Sequence, residues 1–384
     1  MLTMLIFLGV LSALVLIHEA GHYLAARWFG VKADEFGYGF PPRLVGFVKD
    51  QGVWKRVGRD DDRVYASTIW SLNWLPLGGF VRIKGEQGDV QGDADSFHAK
   101  PIWQRIIILA AGVAMNWILA IMLFTVVFIG GTRAVLEDIP PYARVEARAI
   151  EMTQVLDDSP AEKAGLKAGD RVVSIHGQIP TGFEDARRLI AEQKEASFSM
   201  EIERQGERKR LTLTPVFDER LGHPVIGVGL ADVGRVSFSP PQAFRAAVRS
   251  TWGYSKAILG TFGDVVRNLV VNKTVNQDLA GPIGIAVMTG KVAEQGMMPL
   301  FQFAAILSIN LAIINILPIP ALDGGRIAFL FIEKIRRRPM RRALEAAIHN
   351  GAFVLLLLLM ALVTAHDVSR YGGAIIRSVK DWVG

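Results

Sequence analysis

The residues best suited to chemistry stand together near the N-terminus, where His18, Glu19 and His22 form the pattern H-E-x-x-H. On a helix, residues four apart share a face, so the two imidazoles can hold one metal ion. Glu19 projects beside them and can take a proton from metal-bound water. Zinc is the usual ion of this pattern, because catalytic zinc takes three protein ligands and leaves one position for water. A third ligand must therefore come from elsewhere in the chain.

A histidine on an apolar helix is often only a packed core residue, so that alternative has to be weighed. Here two of the chain's 7 histidines and a glutamate occur together in an apolar run that begins at Leu2. Ionisable groups in such a run are costly and are usually retained for function. The pattern therefore favours a metal site at or inside a membrane.

Composition limits the class of protein. The chain has 384 residues, enough for two or three domains, and 51% of them are hydrophobic while 21% are charged. The apolar residues must therefore be concentrated in segments. There is no cysteine, which excludes disulfides, thiolate ligands and a cysteine nucleophile. The net charge of +6 comes from basic residues beside apolar runs, which indicates membrane orientation and not nucleic-acid binding.

Four apolar runs are candidates for crossing a bilayer, which needs about 20 mainly apolar residues. They are residues 2–24, 106–129, 300–317 and 352–365, and the last is short without its flanks. The first run lacks a basic start and a small-residue cleavage site, so we expect it to be retained and not removed as a signal peptide. The predicted fold is a polytopic α-helical membrane protein with four transmembrane helices.

Basic residues predict how the chain is oriented. They are dense in the segment between the first two spans and in the loop 334–342 that follows the third span. Because short basic loops stay in the cytoplasm, both termini and the segment 132–299 are expected outside, in the periplasm of a bacterium. The predicted location is the bacterial inner membrane, with the active site toward the cytoplasmic side.

Between the first two spans, residues 69–81 are apolar and aromatic but too short and too broken to span. We interpret them as re-entrant β structure dipping between the helices, where an open edge can pair with an extended peptide. The alternative is an aromatic anchor at the membrane interface. Residues 37–40 are interpreted as a glycine-spaced turn, followed by Pro41 and Pro42.

The middle of the chain changes character. Residues 142–229 have the turns, short helices and alternating hairpin of a compact α+β domain. Residues 239–275 show apolar residues at helical spacing with basic residues among them, which predicts an amphipathic helix on the membrane or on that domain. An ordinary packed helix explains the second pattern nearly as well.

The third span supplies a candidate for the missing ligand. Asp323 follows it directly, at the depth inferred for the histidine pair. Two histidines and one aspartate with an open position suit hydrolytic zinc. The competing explanation is that Asp323 only caps the next helix. Other plans fit less well, because no histidine follows His22 at metzincin spacing and Glu35 lies in a glycine-rich stretch.

Together these motifs resemble the site-2 protease family of intramembrane zinc metalloproteases, and within it the bacterial sigma-E-regulating group. The likeness rests on the H-E-x-x-H pattern, Leu-Asp-Gly at 322–324 after Asn315 and two prolines, and Pro-Leu-Gly-Gly at 76–79. It also includes Gly-x-x-x-Asn at 112–116, Gly-Pro-Ile at 281–283 and a PDZ-like signature at 159–177. It covers nearly the full length. It departs from the enterobacterial proteins in having room for one PDZ domain where they have two, and in lacking a proline after the glycine in the second span.

The resemblance assigns roles to residues of this chain. It implies one Zn²⁺ held by the two histidines and Asp323, with Glu19 as general base. It also implies a set of substrate-binding residues: Asn315, Pro318, Pro320, Asn73 and Gly79. Residues 142–229 are expected to be a periplasmic PDZ-like domain that takes a peptide ligand or a region of the substrate.

The expected organisation is a first membrane part (1–131), the PDZ-like domain (142–229), the amphipathic segment (239–275) and a second membrane part (299–384). The expected activity is hydrolysis of a peptide bond in or near a transmembrane helix. The resemblance implies a single-span substrate such as a pre-cleaved anti-sigma factor, with remnant signal peptides as a second class. The alternatives are a non-catalytic PDZ scaffold in the lipid bilayer, which would not need Glu19, and a metal transporter, for which no ion path is visible.

Overall fold

The computed structural model describes residues 2–59, 61, 63–86, 93–137, 139–194, 196–204, 206–218, 222–268, 271, 281–338 and 340–383. The chain divides into two compact units. Met1–Val127 and Phe244–Gly384 form the first, here called the membrane unit, and Phe128–Ala243 forms the second, here called the inserted unit.

The helices follow the apolar and amphipathic patterns of the sequence. They are α1 (Leu2–Trp28), α2 (Ile102–Gly130), α3 (Pro160–Lys163), α4 (Phe183–Glu192), α5 (Pro240–Arg267), α6 (Pro282–Glu294), α7 (Met297–Ile316), α8 (Asp323–Arg336) and α9 (Arg342–Val383). Within the described residues, four are long and apolar enough to cross a membrane: α1, α2, α7 and residues Ala343–Ser369 of α9. The protein is thus a multi-pass membrane protein, as predicted. The fourth span begins earlier than residue 352, because α9 extends through polar residues that lower the local hydropathy.

The strands of the membrane unit form a sheet with the order β2-β1-β3. They are β1 (Ala33–Asp50), β2 (Val53–Val57) and β3 (Ile69–Ile83). The interpretation of residues 37–40 as a turn is wrong, because they lie within β1 and pair with β3. Gly39 explains the misleading signal: its φ is +79°, and a Cβ there would lie 2.4 Å from the Leu75 carbonyl oxygen. The glycine therefore serves a bend and close strand contact, with no chain reversal.

Strand β3 lies directly against α1. Ser12 is buried, and its hydroxyl donates to the Pro76 carbonyl oxygen at 3.3 Å and accepts from the Gly78 amide at 3.2 Å. Two turns further along α1, the Glu19 carboxylate accepts from the Val81 amide at 3.0 Å. Residues seven apart share a helix face, so one stripe of α1 ties down β3 through backbone hydrogen bonds.

A compact apolar cluster fixes α1, α2 and α8 around one another. Its members come from the end of α1, the end of β3, α2 and α8; they include Ala26, Ile83, Ile108, Leu109, Ile327 and Leu330. All of them are buried. Close packing of this kind holds helix positions to within a fraction of a side chain. Residues on these three helices can therefore form a site with defined geometry.

The inserted unit is an α+β domain with a six-stranded sheet in the order β4-β11-β5-β6-β7-β8, plus the separate pair β9-β10. Its strands are β4 (Thr132–Val135), β5 (Arg144–Val155), β6 (Arg171–Ile175), β7 (Phe198–Arg204), β8 (Glu207–Leu213), β9 (Val216–Asp218), β10 (His223–Val225) and β11 (Val228–Ser237). The predicted hairpin is present as β7 and β8. Alternate residues of β7, Met200 and Ile202, face a core closed by Ala186 and Leu189 of α4.

The amphipathic segment predicted at 239–275 is helical as α5 over Pro240–Arg267, while residues 269, 270 and 272–275 lie outside the described residues. Phe244, Trp252 and Leu259 are exposed on it. Its placement on a membrane surface stays a prediction.

Candidate metal centre

The predicted histidine pair converges on one point. His18 and His22 lie one turn apart on α1, both buried, and their Nε2 atoms are 3.2 Å from each other. The two rings meet edge to face at 85° with centroids 4.8 Å apart. This orientation aims two nitrogen lone pairs at the same small volume, which the i, i+4 spacing alone only made possible.

Asp323 completes the cluster from far along the chain. Its Oδ2 lies 3.0 Å from His18 Nε2 and 3.3 Å from His22 Nε2. One ligand atom from each of the three residues lies within 4.8 Å of the others. Asp323 is the first residue of α8, and its carboxylate faces the histidines. The competing idea that it only caps the helix does not account for these distances.

The turn before α8 is tight because of its glycines. A Cβ on Gly324 would lie 2.2 Å from the Leu317 carbonyl oxygen, and one on Gly325 would lie 2.3 Å from the Ile319 carbonyl oxygen. Contacts below 3 Å force something to move. The small residues after Asp323 therefore let the chain reverse at the end of α7 and bring the carboxylate back to α1.

The outer nitrogen of His22 is held by backbone. Its Nδ1–H donates to the Ile108 carbonyl oxygen of α2 at 2.9 Å. This hydrogen bond leaves the Nε2 lone pair for a metal, which is the usual arrangement around a ligating histidine. Gly112, one turn further on α2, makes the approach possible, since a Cβ there would lie 2.5 Å from His22 Nε2.

Two asparagines border the other imidazole. The amide nitrogen of Asn315, on α7, lies 3.4 Å from His18 Nε2. The amide nitrogen of Asn116, on α2, lies 3.3 Å from His18 Nδ1. Asn315 was among the predicted residues. Asn116 was noted in the sequence only as part of a motif, with no role.

The donor set tests which ion the cluster fits. Two imidazole nitrogens and one carboxylate oxygen, all from well-packed elements, match the three-ligand sets of catalytic zinc. The sequence profile of peptidase family M50 matches residues 6–57 and 62–359. The chain belongs to peptidase family M50.

Curated relatives of this M50 chain agree with the donor set. A protein of Agrobacterium fabrum (strain C58) that is named as a zinc metalloprotease is 31% identical over 391 residues, covering 96% of each chain. The regulator of sigma-W protease RasP of Bacillus subtilis is 30% identical over 456 residues, covering 96% of this chain and 98% of RasP. The M50 chain is a zinc metalloprotease, as the sequence predicted.

A likeness to a solved structure covers a smaller region. The crystal structure of the PDZ domain of an SdrC-like protein from Listeria monocytogenes is 22% identical, with a TM-score of 0.21. The match covers 23% of the M50 chain and 92% of that domain.

The remaining predicted residues of the M50 chain are placed differently from one another. Gly79 packs on α1, where a Cβ would lie 3.0 Å from Leu16 Cδ1. Asn73 is buried inside the sheet, and its amide donates to the Gly39 carbonyl oxygen at 2.9 Å. Pro318 and Pro320 lie in the connection between α7 and α8. Gly79 is therefore near the metal cluster, whereas the Asn73 side chain is engaged with β1.

Glu35, considered as a ligand in the sequence, has a different partner. Its buried carboxylate accepts from Arg43 Nε at 2.9 Å and from Arg43 Nη2 at 2.6 Å. Burial on its own raises the pKa of Glu35, but the hydrogen bonds and charge of Arg43 outweigh it and hold that pKa below its ordinary value. Glu35 is thus a structural anion of the β1–β3 sheet.

Proposed function

We propose that this M50 protein cleaves peptide bonds in or beside transmembrane helices of other membrane proteins, and that His18, His22 and Asp323 are its zinc ligands. The observation that carries the proposal is the convergence of these three side chains at the ends of helices apolar enough to span a bilayer. A protease centre at that depth meets membrane segments more readily than soluble chains.

The catalytic work of the chain falls to Glu19. Zinc bound by the three side chains supplies a Lewis acid and water that is acidic enough to attack at neutral pH. Glu19 lies next to His18 on α1, and the Val81 amide holds its Oε2. The carboxylate takes one proton from water and returns it to the nitrogen of the leaving amine.

The substrate has to be extended before it can react. A helical segment hides its carbonyl oxygens in backbone hydrogen bonds. Strand β3 lies beside α1 and is tied to Glu19, so we propose that a substrate strand pairs along it within the membrane. Asn315, Pro318 and Pro320 border this path from the α7–α8 connection, and Gly79 keeps β3 close to the histidines.

The charge pattern supports an orientation. Arg336, Arg337 and Arg338 follow α8, and basic residues are frequent between α1 and α2. We propose that these segments face the cytoplasm of a bacterium, with both termini and the inserted unit in the periplasm. The histidines then lie toward the cytoplasmic side of the inner membrane.

The inserted unit is proposed to act as a PDZ-like module that takes an extended peptide of the substrate or of a partner. A cavity of about 320 Å³ lies between α4 and the start of β11, with an apolar lining that includes Phe183, Ile190, Ile226 and Leu230. The regulatory name of the Bacillus subtilis relative supports a further proposal, that the substrate is an anti-sigma factor already shortened by another protease.

The test compares wild-type protein with Glu19→Gln, each reconstituted with zinc and a tagged single-span substrate. Glu207→Gln, at a 77% exposed carboxylate in the inserted unit, is the matched control. We expect wild type and Glu207→Gln to release a shorter fragment, and Glu19→Gln to lose at least roughly 10³-fold in rate. Equal cutting by Glu19→Gln disproves the role of Glu19. Substrate binding without cutting by any of the three proteins favours a scaffold.

A further inference from the structure

His18 has two chemically different sides. Its Nε2 faces Asp323 Oδ2 at 3.0 Å and His22 Nε2 at 3.2 Å. Its Nδ1 faces away from the cluster, toward Asn116 at 3.3 Å. A neutral imidazole that ligates through Nε2 carries its proton on Nδ1. That proton needs an acceptor, because the ring is buried and away from water.

The two histidines differ in how this need is met. For His22 the acceptor is a backbone carbonyl, that of Ile108. For His18 the neighbouring side chain is an amide, which offers either a nitrogen that donates or an oxygen that accepts. Within the part of the chain that the structure describes, Asn116 Oδ1 is buried and has no hydrogen-bond partner. A half-turn of the amide about χ2 places this oxygen at His18 Nδ1 and ends the opposition of two N–H groups.

Asn116 is held in place independently of its side chain. It is fully buried on α2, and its backbone carbonyl accepts from the Ser308 hydroxyl of α7 at 2.9 Å. Any residue can supply that carbonyl, so the contact between the two helices does not require asparagine. Across the described residues, His18 is the polar group within hydrogen-bond distance of the Asn116 side chain.

We propose that Asn116 is a positioning residue for the metal centre. Its Oδ1 accepts from His18 Nδ1–H, which fixes the tautomer and the ring orientation that present Nε2 to zinc. The inference rests on the proposed function, because it takes His18 as a ligand. It separates the side chain's role at the metal from the backbone's role between α2 and α7.

The test measures zinc affinity of the full-length protein in detergent, after removal of metal, by competition with a chromophoric chelator. Asn116→Leu keeps the approximate shape and removes the acceptor, so we expect zinc affinity to fall about 10- to 100-fold. Asn116→Asp keeps an acceptor and cannot donate, so its affinity should stay within about threefold of wild type. Ser308→Ala removes the contact to the Asn116 backbone and should leave zinc affinity unchanged.

A second readout keeps the proposal testable if Asn116→Leu folds poorly. In zinc-loaded protein labelled with ¹⁵N-histidine, His18 Nδ1–H should give a slowly exchanging signal in wild type and in Asn116→Asp. Wild-type affinity in Asn116→Leu, or equal loss in Asn116→Asp and Asn116→Leu, overturns the proposal. His18→Ala is the reference: if it binds zinc normally, the ligand assignment fails as well, whereas zinc loss in His18→Ala alone refutes only the role of Asn116.

Discussion

Two buried carboxylates, one in each unit of the protein, are satisfied in opposite ways. Asp170 of the inserted unit is 1% exposed and receives Arg204 Nε and Nη2, both at 2.6 Å, so its charge is neutralised within the chain. Asp323 of the membrane unit faces two imidazoles and, among the described residues, no lysine or arginine within ion-pair distance. A carboxylate with its own cation stabilises the fold, whereas one that meets two histidines needs an added cation.

The same substitution should therefore have different consequences in the two units. Asp323→Asn removes the anionic ligand, and we expect zinc affinity to fall by at least roughly 10³-fold, since each ligand contributes several kcal/mol to metal binding. Stability of the metal-free protein should change by less than about 1 kcal/mol, because no internal ion pair is broken. Chelator competition and thermal unfolding with and without EDTA measure the two effects. Retained zinc affinity would remove Asp323 from the ligand set.

Asp170→Asn should give the reverse result. It leaves the Arg204 guanidinium without its buried partner, so the inserted unit should lose about 3 kcal/mol. Hydrogen exchange of β6 and β7 in the full-length protein should accelerate roughly a hundredfold. Zinc affinity should match wild type. Unchanged protection of these strands would show that solvent replaces the ion pair without cost.

The Glu35–Arg43 pair extends the comparison into the membrane unit. Although burial opposes it, Arg43 holds the pKa of Glu35 below its ordinary value near 4.5. A depressed pKa in the folded state stabilises the protein above the ordinary value, and this stabilisation is lost as pH falls through the folded-state pKa. Hydrogen exchange should therefore show β1–β3 weakening below about pH 4.5.

Glu35→Gln supplies the control for that pH dependence. It should cost about 2 kcal/mol at neutral pH, because it removes charge-assisted hydrogen bonds from a buried group. It should also flatten the acid limb of the profile. An unchanged acid limb in the variant would assign the pH dependence to other carboxylates.

The smallest expected effect concerns the space around the histidines. Gly112→Ala puts a methyl group against His22 Nε2, and we expect about a tenfold loss of zinc affinity as α1 and α2 move apart. Gly9→Ala is the matched control on α1, since a Cβ at Gly9 meets nothing within 4 Å. Chelator competition on the two variants makes the comparison, and equal affinities would mean that the α1–α2 contact adjusts freely.

Much of this architecture is predictable from local sequence. The H-E-x-x-H spacing predicted two converging imidazoles, and the position of Asp323 after an apolar run predicted its depth. Long apolar runs predicted the spans, since hydropathy averages over many residues. The start of α9 was missed because Glu345 and His349 interrupt that average while the helix continues through them.

The groups that hold the site in place were less accessible to prediction. Glu19 is held by an amide 62 residues away, and His22 by a carbonyl 86 residues away. Backbone donors and acceptors are present at almost every residue, so no residue type marks them in a sequence. Asn116, 98 residues from His18, has an identifiable side chain, but its partner becomes visible only when α1 and α2 are packed.

The two ends of the inserted unit lie together. The Phe238 amide donates to the Phe128 carbonyl oxygen at 2.9 Å, and β4 and β11 continue as an antiparallel pair from Thr132 and Val236. A domain whose entry and exit points are hydrogen-bonded neighbours can be lost, exchanged or duplicated without lengthening the chain around it. Gene rearrangement could thus alter how many such domains a relative carries while its catalytic helices stay unchanged.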